Sequence, residues 1–161
     1  THKNIDYLSM YNLAALATHH DDAYSYELLA KYLPKIDNAY MDFLSMAIVS
    51  DRFDVFQFIF KSKNVKTSER FEDNEKNSLV SQAANSFPIL TFLVNQNADV
   101  NAPNANGETA LHLTNSVKIA RLLVENGANV NARDKKNHTP LYYAKQKKNA
   151  GMIRFLESVS E

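Results

Sequence analysis

The chain has 161 residues, 45% of them hydrophobic, with 18 basic and 18 acidic side chains that cancel formally. Cysteine is absent, which excludes disulfides and thiolate metal sites, and glycine and proline number only three and four, which favours helices over short strands. No apolar run approaches the roughly 18 residues that a membrane span requires, so neither a membrane partner nor a membrane location is expected.

No signal peptide is visible and a cytoplasmic protein is the expectation, although the start at Thr1 leaves a trimmed leader and secretion open. Charge is uneven along the chain. Residues 1–60 hold four basic and eight acidic side chains, 61–117 five and six, and 118–161 nine and four. In an elongated fold this would make an acidic end and a basic end.

In chain order, the first helical stripe is Ser25/Leu28/Leu29, preceded by Leu13. Between them stands His19-His20-Asp21-Asp22, whose imidazoles and carboxylates are metal-ligand types. Adjacent histidines on a helix point about 100° apart, unlike an i, i+4 pair. The cluster also falls where two paired helices would turn, so no metal is expected there. Tyrosines at 7, 11, 24, 26 and 32 recur at helical spacings and read mostly as packing residues, with one or two left as exposed anchors.

Leu44 with Val55/Phe58/Ile59 marks a second helix pair, followed by the charged link 61–77. Leu79 with Ile89/Phe92/Leu93, Leu111 with Ile119/Leu122/Leu123, and Leu141 with Met152/Phe155/Leu156 mark three more. The stripes follow one another at 30, 34, 30 and 33 residues. Five units result, roughly 1–36, 37–66, 74–103, 104–133 and 134–161, the first and third irregular. The third and fourth units lack several residues between their paired helices, so their first helices or the following turns should be short.

Two passages repeat in register 30 residues apart: "ILTFLVNQNADVNA" from 89 and "IARLLVENGANVNA" from 119. The stretch after the second, "RDKKNHTPLYY", is rich in groups that could do chemistry, yet each has a structural use. Gly127, with Asn97 one unit earlier, suits a left-handed helix end. Asp134 and Asn137 suit a turn tip, Thr139 a helix cap, and Pro140 the first helical position. The sequon Asn137-His138-Thr139 coincides with this turn and reads as chance.

These residues resemble the ankyrin repeat, whose period is about 33 residues. Gly107-Glu-Thr109-Ala-Leu111-His112-Leu113 and Thr139-Pro140-Leu141 match its G-x-T-P-L-H-L box, and Gly127-Ala-Asn-Val-Asn131-Ala and Asn97-Ala-Asp-Val-Asn101-Ala its G-A-D-V-N-A turn. The resemblance covers 86–157 and 41–60, while 1–34 is joined to it by spacing alone. It implies an all-α solenoid of stacked helix pairs, with His112 bonding to a neighbouring turn and Tyr142 in its place one unit later.

It also implies a non-catalytic monomer, without cofactor or metal, that binds a protein partner through turn tips and the inner-helix face and inhibits or targets that partner. By position the contact residues are Asp37, Asn38, Tyr40, Asn104, Asn106, Glu108, Lys135, Lys136 and His138, with Gln146 and Lys147 at the end of the last inner helix. The basic cluster there favours an acidic partner. Nucleic acid is not expected, because no aromatic residues interleave with the lysines to stack bases. Two rival readings are a regulatory or targeting fragment of a larger enzyme or secreted bacterial protein, and a metal-dependent enzyme built on His19–Asp22.

Overall fold

The computed structural model describes residue 31, residues 40–71 and residues 76–160. The expected first helix pair, its tyrosines and the His19–Asp22 cluster lie outside them. The chain divides into two compact units, Thr1–Val65 and Lys66–Glu161.

In the first unit, α1 (Tyr40–Val49) and α2 (Phe53–Ser62) pack on each other. Phe43, Leu44, Ala47 and Ile48 of α1 and Val55, Phe56, Ile59 and Phe60 of α2 are all buried. In the second unit come α3 (Leu79–Gln82), α4 (Phe87–Asn95), α5 (Ala110–Leu113), α6 (Val117–Glu125), α7 (Pro140–Gln146) and α8 (Ala150–Val159). The inner helices α3, α5 and α7 follow one another in one row, and the outer helices α4, α6 and α8 in another. The described residues form an all-α fold of successive helix pairs.

The short inner helices expected from the missing residues are present: α3 and α5 have four residues each, against seven in α7 and ten in α1. A four-residue helix is far below the length that is stable alone in water, so its order comes from caps and packing. Ser78 caps α3 through the N–H of Ser81 (3.0 Å), and Thr139 caps α7 through that of Tyr142 (3.4 Å). Ser86, Ser116 and Asn149 cap the three outer helices in the same way.

The helical stripes hold with one shift of face. Val55, Ile59, Ile89, Leu93, Ile119, Leu123, Met152 and Leu156 are buried. The middle member of these rows is only half-buried at Phe58, Phe92 and Leu122, and is buried at Phe155. Phe56, Leu90 and Ala120, one position after the row begins, are buried instead. An outer helix covers its own inner helix and a neighbouring outer helix together, so its apolar face turns toward i, i+1 and i+4. Leu44, Leu79 and Leu111 are buried as expected, but Leu141 is half-buried.

Helix ends repeat one device. Asp51, Asn64, Asn97, Gly127 and Lys148 all have φ between 50° and 86°. After each, the next N–H reaches back five residues, as from Ala98 to the Leu93 carbonyl (3.0 Å) and from Ala128 to that of Leu123 (2.9 Å). This is the left-handed closure that satisfies the last carbonyls of a helix. The expectation for Asn97 and Gly127 is met, and three further residues without glycine's freedom adopt the same conformation.

Candidate functional site

Between an outer helix and the next inner helix the chain forms a hairpin turn. Asn104 N–H donates to the Glu108 carbonyl (2.8 Å) and Asp134 N–H to that of His138 (3.0 Å). Gly107 and Asn137 take φ of 81° and 66° to close these turns. The side chain of the first residue fills each turn. Asn104 Oδ1 accepts the N–H groups of Asn106 and Glu108 (2.9 Å each), and Asp134 Oδ1 those of Lys136 and His138 (2.8 Å each). An Asn or Asp at this place replaces water for two backbone donors and holds the tip rigid.

Successive tips are joined. Lys135 N–H donates to the Asn106 carbonyl (2.9 Å), and a Cβ on Gly107 would meet Lys135 N at 2.9 Å. Glycine is needed at 107 for this approach as well as for its φ. The preceding link closes similarly, from Phe71 N–H to the Asn77 carbonyl (3.0 Å) with Lys76 at φ 48°, and the Arg70 guanidinium crosses to the Pro103 carbonyl.

Behind the tips lies a network of ionisable groups. His112 Nδ1 accepts the Thr109 N–H (3.1 Å), which leaves Nε2 to donate to the His138 carbonyl of the next turn (3.3 Å). The expected bond from His112 to a neighbouring turn is therefore present. Burial lowers its pKa below 6.5, outweighing the His138 carbonyl and the Asp134 charge, which favour the cation. Burial pushes the Asp134 carboxyl up, but the Tyr143 hydroxyl (2.6 Å) and the His138 and Lys136 N–H groups together hold it below its ordinary value. Its bond to that carboxylate, reinforced by burial, pushes the Tyr143 phenol up. All three groups are moved away from neutral pH, opposite to what proton transfer at pH 7 calls for.

Asparagine amides join the repeats on two other levels. Asn101 donates through Nδ2 to the Gly127 carbonyl (2.9 Å) and accepts the Asn129 N–H at Oδ1 (2.8 Å). Asn115 N–H reaches Asn85 Oδ1 (3.4 Å), and Asn149 Nδ2 reaches the Asn115 carbonyl (2.8 Å). The sequence reading missed these bridges and the Ser86 and Ser116 caps. Their signal was the pair Asn85-Ser86 recurring 30 residues later as Asn115-Ser116.

Of the expected contact residues, Asp37 and Asn38 lie outside the described residues, and Tyr40 begins α1, half-buried. Asn104 is buried, with its Nδ2 on Glu108 Oε2 (3.0 Å). Asn106, Lys135, Lys136, Gln146 and Lys147 are exposed, while Glu108 and His138 are half-buried. Asn106 and Lys135 are brought together by their backbone bond. Tyr142, which the sequence reading placed in the histidine's position, is 39% exposed and stacks on His138, with ring centroids 3.8 Å apart and planes 7° from parallel. His112 in the same position one pair earlier is 2% exposed.

No described helix is long and apolar enough to cross a membrane. A comparison with curated proteins found no match. The family profile for ankyrin repeats (3 copies) matches residues 78–159, just over half of the chain and the segment that holds α3 to α8. Three helix pairs, left-handed helix ends, rigid hairpin turns and that match agree: the chain belongs to the ankyrin repeat family.

Proposed function

We propose that this protein is a non-catalytic monomeric binding module whose partner is another protein, held by the tips of turns 104–108 and 134–138 and by the adjoining face of α7. The observation that carries the proposal is the division of labour within the turns. Asn104 and Asp134 satisfy the turn backbones from inside, so the side chains of Asn106, Lys135 and Lys136 extend from an immobilised tip that is held through backbone groups. Side chains on a rigid frame bind with less loss of conformational freedom than side chains on a mobile loop. Within this proposal Asn104 shapes the tip, and Asn106, Glu108, Lys135, Lys136, His138, Gln146 and Lys147 make the contact. Asp37, Asn38 and Tyr40 are proposed as contact residues on their place in the sequence alone.

The test is affinity capture from the native source with the wild-type chain and with Asn106→Trp/Gln146→Trp, which adds bulk without charge at one tip and on α7. A partner retained by the first and lost by the second, at an unchanged melting temperature, is the expected result. Partners bound equally by both would place the interface elsewhere.

A further inference from the structure

The basic run from Arg133 to Lys148 exceeds what the fold uses. Arg133 is committed to the Asn137 carbonyl (3.1 Å) and Lys145 to Glu157 (3.1 Å). Lys135, Lys136, Lys147 and Lys148 are exposed and form no ion pair among the described residues. The acidic groups close by are already engaged. Asp134 is buried, its oxygens taken by the Lys136 and His138 N–H groups and the Tyr143 hydroxyl, and Glu108 is held by Asn104. Four ammonium groups are left without a counter-charge along one turn and the helix that follows it.

Among them Tyr142 is presented as a fixed ring. One side is backed by His138, which is itself held by its N–H bond to Asp134 and by the edge of Tyr143, with centroids 5.9 Å apart. Tyr143 also meets Tyr142 at a right angle, 5.6 Å between centroids. A tyrosine held in this way offers apolar contact area at little entropic cost, the property that makes tyrosine common at binding hot spots.

We infer that the 134–138 turn and α7 form a subsite for an acidic segment of a partner protein, its carboxylates set against Lys135, Lys136 and Lys147 and an apolar side chain laid on Tyr142. This inference rests on the binding-module reading. A seven-residue helix is about 10 Å long, so an extended segment of roughly four to six residues would run from the tip to its end. The chemistry favours a peptide over nucleic acid. Single strands are bound through successive stacked bases, and here one ring stands alone, with one face covered by His138.

The test uses the full chain, isotope-labelled for NMR, titrated with a short glutamate peptide carrying one central phenylalanine. The amides of Lys135, Lys136, His138, Tyr142 and Gln146 should shift together. Lys135→Glu with Lys136→Glu should weaken binding by about tenfold or more and flatten its salt dependence. Tyr142→Ala should weaken the phenylalanine peptide but leave an all-glutamate peptide unchanged. A single-stranded oligonucleotide that displaces the peptide from these amides would overturn the inference in favour of a nucleic-acid site. Absence of any shift up to about 1 mM peptide would also overturn it. If captured partners still depended on Asn106 and Gln146 in that case, the proposed interface would stand without this subsite, and partners captured equally by both chains would place the interface elsewhere.

Discussion

His112 and Tyr142 occupy one position in successive helix pairs and do different work. His112 is enclosed and serves as a neutral bridge, accepting from Thr109 at Nδ1 and donating from Nε2 to His138. A second proton on Nδ1 would set two donors against each other. Burial keeps the folded pKa below 6.5, so the unfolded chain takes up the proton first as pH falls. The stability tied to the neutral ring is therefore complete above about pH 6.5 and is lost progressively below it, toward the lowered folded value. Thermal unfolding followed from about pH 7.5 down to about pH 5.5 should show a declining midpoint. His112→Gln, which cannot be protonated, should start lower and decline less. An equal decline in both proteins would show that another group is responsible.

At the scale of the element, α6 separates packing from pattern. Leu122 and Leu123 are neighbours in the same apolar helix, but Leu123 is fully buried while Leu122 is half-exposed. Truncating a buried leucine removes its transfer energy and leaves a cavity. Leu123→Ala is expected to cost about 2–5 kcal/mol in urea unfolding, and Leu122→Ala less than half as much. Equal losses would mean that the i, i+1, i+4 face is not the buried one. The same reasoning explains why four-residue α3 and α5 persist. Leu79 and Leu111 are anchored between neighbours, and Ser78 and Thr109 tie the first turns.

At the scale of the molecule, each described repeat of the second unit leans on the next through paired helices, turn tips and asparagine amides. In such a stack stability is close to a sum of repeat and interface contributions. Asn101 is the clearest interface contribution, because its amide makes both of its bridging bonds to the following repeat. Asn101→Ala should lower stability by about 0.5–1.5 kcal/mol and speed hydrogen exchange at the Asn129 amide, while the far-UV circular dichroism keeps its helical form. Unchanged exchange at Asn129 would show that the bridge contributes nothing in solution.

Much of this fold was legible in the chain because repetition makes one physical problem appear several times. Leucine positions, left-handed helix ends at Asn97 and Gly127, the Thr139 cap and the short helices of the 79–113 segment all follow from spacing and local backbone preference, which act within a few residues. The rest depended on what lies across a repeat boundary. Helical periodicity marks a stripe, but only the neighbouring helices decide which edge is sealed, and so Ala120 is buried in preference to Leu122. Asn104 reads as a contact residue because it is polar, whereas folding buries it as the acceptor for its own turn, the structural use that Asp134 has one turn later. Sequence placed lysines and a tyrosine near one another in the chain. Tertiary structure alone decided that the carboxylate among them is consumed from within, leaving the four lysines without an ion pair among the described residues and the Tyr142 ring fixed on His138, because that outcome depends on which groups reach each other in space.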